Sequence, residues 1–452
     1  MASTQTSLSP VDIARTAALA SRTLKAVSGG DRNAALTAVH DALEKSKSVI
    51  LEANQKDMEA AQKLVEAGKM RESLAKRLFL SQSKWEGMLE GILEVRDLED
   101  PVGKVTLATR LDDGLDLYRL TCPIGVLLVI FEARPEVIAN ITALALKSGN
   151  AVILKGGRES TNSFAAIARV VSEALATTTI PPGAVQLVET REDVSALLDQ
   201  DQYIDLVIPR GGNELVRHIK ENTKIPVMGH ADGLCAIYVH HDADESKAVK
   251  VVLDSKTDYP AACNAVETLL VHESTAATVL PKIASALLEA GVSLRCDSLS
   301  KAALQSSTLD AAKKVILQDS TEEDYNTEFL ELTLAVKVVS GLDEAVLHIN
   351  AYSSGHTDAI LTESKEDAES FMNRVDSAGV YWNASTRFAD GFRYGFGTEV
   401  GISTNKIHAR GPVGLEGLTI HKYQLRGHGQ AASDYGAGKK SYLHQTIENV
   451  EI

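Results

Sequence analysis

The sequence predicts an α/β protein with two parallel-sheet units and a small β-ribbon element. Three observations predict it. Short apolar runs alternate with amphipathic helical segments between residues 122 and 239. A second alternating series runs from residue 268 to 383. Two polar segments with a period of two, near residue 115 and from Leu418 to Arg426, belong to neither series. The 452 residues suffice for two or three domains, and 44% apolar content fills their cores.

Residues 9 to about 100 read as helices, with Leu36, Val39, Leu43 and Ile50 on one apolar face. Lys104 to Leu120 turns strand-like and polar, a ribbon able to pair with another chain. The continuous apolar run Cys122–Phe131 suits a strand buried on both faces, and Pro135 then opens a helix that reaches Gly149. Arg134 sits at the carboxyl end of that strand, where ligands gather in open α/β sheets. Strands at 151–154, 184–188, 205–208, 225–228 and 234–239 alternate with helices at 160–175, 192–198 and 213–221. The second series contains strands at 268–271, 293–296, 332–339, 358–361 and 380–383.

Two strands of the first unit end in a basic residue and a Gly-Gly pair: Lys155-Gly156-Gly157-Arg158 and Arg210-Gly211-Gly212. Glycine lets a ligand approach the backbone, and the helix that follows favours a phosphate. Neither turn carries the GxGxxG or GxxxxGK[ST] fingerprint, and ordinary tight turns with solvated basic residues read the same way. Cys263 lies just past Pro260, between a helical segment and an apolar strand. A lone cysteine is commonly a small buried hydrophobe, but a loop at such a junction is where a thiolate is reachable. Asn264, beside it, is a candidate oxyanion donor together with the Cys263 backbone N–H. Between Tyr352 and Gly417 polar and glycine residues crowd together, including Asn383, Ser385, Thr386, Arg387 and Arg410. The arginines suit carboxylate or phosphate recognition, since a guanidinium offers two oxygens a planar fork; two solvated surface arginines are the other reading.

With 61 acidic residues against 46 basic ones the formal charge is −15, which argues against nucleic acid and anionic membrane as partners. The four cysteines show no CxxC spacing, so neither a metal site nor a disulfide framework is expected and a reducing compartment fits. No apolar run reaches the roughly 18 residues of a membrane span. The first ten residues lack a basic region followed by an apolar one, so a cytoplasmic protein without a secretory signal is expected.

Several segments carry a resemblance: Pro123-Ile-Gly-Val126, Phe131-Glu-Ala-Arg-Pro-Glu136, Leu144 to Gly157, Asp205 to Gly212, Cys263 to Val271, Ser354 to Ile360, Val380 to Phe388 and His408 to Leu418. The chain thereby resembles the aldehyde dehydrogenase superfamily, and within it the γ-glutamyl phosphate reductase family, over nearly all residues past 30. The resemblance implies an aldehyde-dehydrogenase-like fold: a cofactor domain (residues 1–104 and 122–255), a catalytic domain (256–417) and a ribbon for homo-oligomerisation (105–121 and 418–452). It implies NADPH as cofactor, L-glutamyl 5-phosphate as the small-molecule substrate, and glutamate 5-kinase as a partner. On the family pattern Cys263 falls on the nucleophile and Lys155 on the lysine at the adenosine ribose. Glu331 falls near the glutamate at the nicotinamide ribose, with Glu328 a close competitor. Aldehyde oxidisers carry Glu-Leu-Gly-Gly where this chain has Gly229-His-Ala-Asp-Gly233, so their deacylating glutamate is missing. That suits reduction of an acyl phosphate, which needs no water. Three alternatives remain: a reductase of another acyl phosphate or thioester, a non-catalytic partner of the kinase, and a cysteine hydrolase pairing Cys263 with His230 or His356.

Overall fold

Five helices lead the computed structural model, which describes residues 9–70, 72–132, 134–188, 191–448 and 450. They are α1 (Pro10–Leu24), α2 (Gly29–Lys45), α3 (Lys47–Glu66), α4 (Glu72–Leu78) and α5 (Gln82–Asp97). Ser9, Ser28 and Ser81 cap three of them, each side chain accepting from the N–H three residues on. Leu36, Val39, Leu43 and Ile50 form the expected buried face and join the core beneath the first sheet. The first eight residues, read above for a leader, lie outside the described residues, as do Ala133 of the Phe131–Glu136 motif and the last two residues of the ribbon segment.

Strands β1 (Val105–Asp112) and β2 (Leu115–Pro123) then form an antiparallel hairpin. Its turn places Gly114 at φ 69°, a conformation side chains disfavour. The first parallel sheet follows, with β3 (Val126–Phe131), β4 (Ala151–Lys155), β5 (Val185–Val188) and β6 (Leu206–Arg210) in the order β5-β4-β3-β6. All six residues of β3 are buried, as a strand covered on both faces requires. Helices α6 (Val137–Lys147), α7 (Thr161–Leu175) and α8 (Arg191–Leu198) connect the strands. The strand expected at 225–228 is only a bridge between Val207 and Val227. Pro226 has no N–H to extend a ladder.

Helix α9 (Asn213–Glu221) leads out of this unit. The second sheet contains β7 (Cys235–Val239), β8 (Val266–His272), β9 (Ser293–Cys296), β10 (Gln318–Asp319), β11 (Thr333–Val339), β12 (Thr357–Leu361) and β13 (Gly379–Trp382). All pair in parallel, in the order β10-β9-β11-β8-β7-β12-β13. This corrects the boundary expected at residue 255. Strand β7 pairs with β8 and β12, and helix α10 (Glu245–Thr257) packs against β8, so the changeover lies between β6 and β7. A fully apolar strand shows that it is buried, not in which sheet.

After β13 the chain returns to the first unit. Val400, Val413, Leu415 and Leu418 enter its core, around the short pair β14 (Gly401–Ser403) and β15 (Gly411–Val413). Asn150 Nδ2 donates to Leu418 O at 2.8 Å. Strand β16 (Thr419–Arg426) pairs with β2 along its whole length, and β17 (Gln445–Thr446) pairs with β1. The C-terminal segment thus completes the ribbon within one chain.

Candidate active site

Cys263 occupies a turn between α10 and β8, half-buried where the two sheets meet. The backbone of Gly233 presses on it: a Cβ there would stand 2.1 Å from Cys263 O. Cys235 Sγ donates to the same carbonyl at 3.4 Å. One ring nitrogen of His230 and one of His356 lie within 4.8 Å of Cys263 Sγ and of each other. His230 Nδ1–H donates to Ile402 O at 3.1 Å, which leaves the lone pair of the neutral ring on Nε2. His356 Nδ1 pairs with Thr357 Oγ1 at 2.9 Å, while its Nε2 is buried without a partner among the described residues.

Burial pushes the Cys263 thiol up to about 12, Glu328 and Glu399 push the same way, and Arg210 opposes them. The resting group is therefore a protonated thiol. Burial also pushes the Glu328 carboxyl up to about 7, against the hydrogen bond from Gly233 N–H. Burial lowers the pKa of Arg210, with Glu399 holding the charge in place. Its Nη1 donates to Val400 O at 3.0 Å and Glu399 O at 3.4 Å. Arg210, a candidate for the dinucleotide from sequence, thus reaches the returning segment, and its charge favours the Cys263 thiolate. Gly211 fits closely against Glu132, and Gly212 opens α9.

The other basic turn follows β4, an interior strand of the first sheet. Lys155 is buried and its Nζ donates to Gly156 O. A Cβ at Gly156 would fall 1.9 Å from the Phe164 ring, so this glycine lets α7 pack onto β4. Gly157 and the exposed Arg158 lead into α7, where the buried Ser160 Oγ has no partner among the described residues.

Asn264 does not have the free amide expected of an oxyanion donor. It is buried, and Nδ2 donates to Ala389 O at 2.9 Å and Arg387 O at 3.5 Å, while Oδ1 accepts from Arg387 Nη1. Arg387 Nε also donates to Asp258 at 3.1 Å, so this arginine braces the loop rather than facing outward. Ser385 Oγ meets Ser255 Oγ at 2.9 Å, and Thr386 Oγ1 is buried without a partner among the described residues. Asn383, at φ 53°, pairs its amide with both backbone groups of Thr362. Arg410 donates to Asp376 O at 2.7 Å and Asp376 Oδ1 at 3.3 Å. Arg134 is exposed at the end of β3. Glu331 is exposed too, its carboxylate accepting from Thr333 Oγ1 at 3.1 Å. Its competitor Glu328 is the one whose charge acts on the cysteine.

Reasoning from sequence missed Glu399, Cys235 and the buried pair Lys256–Glu267, and it considered His230 and His356 only for hydrolysis. Gly229 and Gly233, flanking His230-Ala-Asp232, were the one available signal of a tightly packed loop.

Two parallel α/β sheets meeting at a half-buried cysteine, with an antiparallel ribbon alongside, define the aldehyde dehydrogenase class. The aldehyde dehydrogenase family model matches residues 4–324, and the chain belongs to that family. It is 59% identical over 427 residues to the probable gamma-glutamyl phosphate reductase of Schizosaccharomyces pombe, covering 94% of each chain. Identity is 53% with the gamma-glutamyl phosphate reductase of Saccharomyces cerevisiae, over 96% of this chain and 97% of that one. The crystal structure of gamma-glutamyl phosphate reductase from Thermotoga maritima matches with a TM-score of 0.88 at 39% identity, covering 94% of this chain and all of that one. Within the aldehyde dehydrogenases the chain belongs to the γ-glutamyl phosphate reductase family. Among the described residues no helix is long and apolar enough to cross a membrane.

Proposed function

We propose that the protein reduces L-glutamyl 5-phosphate to L-glutamate 5-semialdehyde and phosphate, with NADPH, through a thioester on Cys263. The observation that carries this reading is the seat of the cysteine between the two sheets, with two imidazoles beside its sulfur and Arg210 facing it. Relatives at 59% and 53% identity that are named gamma-glutamyl phosphate reductases support the substrate.

A buried thiol needs a base before it can attack. The lone pair of His230 takes the proton, and the thiolate adds to the acyl carbonyl. The C–S bond forms as the C–O bond to phosphate breaks, and phosphate leaves with the electron pair. The Cys263 backbone N–H steadies the oxyanion. When bound, the dinucleotide supplies hydride to the thioester carbon. Cys263 then leaves as thiolate from the resulting thiohemiacetal and releases the aldehyde. The residues fit that cofactor: Lys155, Gly156, Gly157 and Arg158 line the first turn, where the unpartnered Ser160 Oγ awaits a donor or acceptor. Gly211, Gly212 and Glu328 lie on the side nearer the cysteine. We assign the substrate's anionic groups to Arg134, to Arg410 and to the loop of Ser385 and Thr386, which Asn383 and Arg387 hold in shape. The kinase that makes the acyl phosphate is the preceding enzyme, and the ribbon is the surface for a second copy. Leu107, Ile420, Tyr423 and Leu425 stand exposed on it, which light scattering of a Tyr423→Glu variant tests.

The test is phosphate-dependent reduction of NADP+ by glutamate semialdehyde. Cys263→Ala should bind NADPH, seen by fluorescence, and show no turnover; retained turnover overturns the mechanism. Aspartyl phosphate and CoA esters as rival substrates check the choice of acyl group.

A further inference from the structure

The imidazole pair beside Cys263 has a feature that proton transfer alone does not need. We infer that Cys263 Sγ, His230 and His356 form a three-ligand site for one soft divalent cation of the zinc type, which holds the enzyme in a reversibly blocked state. The three ligand atoms already lie within 4.8 Å of one another. Zinc bonds of about 2.0–2.3 Å would bring such atoms roughly 3.3–3.7 Å apart, so closure asks for side-chain shifts of about 1 Å.

Two further observations point to a ligand. One nitrogen of each ring is held, as one is in metal-bound histidines: His230 Nδ1–H by Ile402 O at 3.1 Å and His356 Nδ1 by Thr357 Oγ1 at 2.9 Å, which leaves Nε2 of each ring for a ligand. His356 is 1% exposed, and its Nε2 has no partner among the described residues. The surrounding charge suits a cation, since Glu328, Glu399 and Asp232 act on the cluster against Arg210 and Lys220. Thiolate and imidazole select zinc over magnesium or calcium, and the fourth position remains open for water. Binding releases the thiol proton to solvent and ties up the sulfur lone pair. The second histidine-rich group, His240, His241 and Asp242, bonds within itself and to Thr362, and among the described residues it has no buried nitrogen without a partner.

The metal site stands on this geometry; only the block rests on the reading of Cys263 as nucleophile. Cobalt(II) titrated into the reduced, metal-free full chain should give a thiolate-to-cobalt charge-transfer band that saturates at one equivalent and is displaced by zinc. Cys263→Ser should abolish the band while Cys122, Cys235 and Cys296 remain. His356→Gln and His230→Gln should each weaken cobalt binding at least tenfold, with circular dichroism confirming the fold. No band, or a band indifferent to these changes, overturns the site. Zinc should also stop turnover, and a chelator should restore it. A band with turnover untouched by zinc overturns the block and, with it, the role of Cys263, while the site itself stands.

Discussion

Gly233 and Cys263 are packed backbone to backbone: a Cβ on the glycine would stand 2.1 Å from the cysteine's carbonyl oxygen and 2.5 Å from its Cα. Neither atom belongs to a flexible side chain, so Gly233→Ala must displace the nucleophile or the loop that carries His230. A misplacement near 1 Å costs about 100-fold in rate. Turnover should fall by that order while NADPH binding, read by fluorescence, stays within a few-fold. Unchanged turnover would show that the loop yields without moving Cys263.

Asn264 joins Arg387, Ala389 and, through Arg387, Asp258 into one buried brace. Truncation to alanine leaves the Ala389 carbonyl and part of the Arg387 guanidinium unpaired. The expected loss is about 1–3 kcal/mol of stability in denaturant unfolding. An oxyanion donor would behave differently, with stability intact and kcat lower by about 10²–10³. Comparing the two readouts on one variant separates the roles.

Lys256 Nζ meets Glu267 Oε2 at 2.6 Å with side chains 0% and 2% exposed, tying α10 to β8. Burial pushes the Glu267 carboxyl up to about 8 and lowers Lys256, each opposed by its partner. Removing one member strands the other, at about 3–5 kcal/mol. Lys256→Met and Glu267→Leu should each be that costly, and the double variant less costly than either. Additive losses in urea midpoints would count against the pairing.

The two alternating series were legible because periodicity reports burial, and burial is what a parallel sheet imposes. What periodicity cannot report is long-range partnership. Strand β7 looks like β6 until its ladder to β8 is seen. The turn at Arg210 read correctly as basic and glycine-rich, but its direction depends on Glu399 and Val400, some 190 residues later. Glu328 and Glu331 differ by three positions, and between them Leu330 turns the backbone at φ 56°, a reversal no local pattern announced. Helices Ser298–Ser306 and Ala311–Val315 were not anticipated. The second buries no residue and the first only Ser300 and Leu304, so neither carries an apolar stripe.

His348 gives the acid side of the stability curve a definite source. It is 6% exposed, edge-on to Tyr325 and tilted against Tyr352. Burial lowers its pKa to about 4, Lys337 adds to that, and Glu322 and Glu344 oppose it. In the unfolded chain the ring takes a proton near 6.5. Between those values the unfolded state binds the proton and the native state does not, so stability falls as pH falls through that window. Above it the contribution is fully present. Each pH unit crossed is worth about 1.4 kcal/mol, so from about pH 7 to pH 5 His348 should account for about 2 kcal/mol of lost stability. His348→Phe keeps an aromatic ring against Tyr325 and Tyr352 and cannot titrate, so its urea midpoint should drop less over that interval. An equal drop in both proteins would assign the acid sensitivity to other groups.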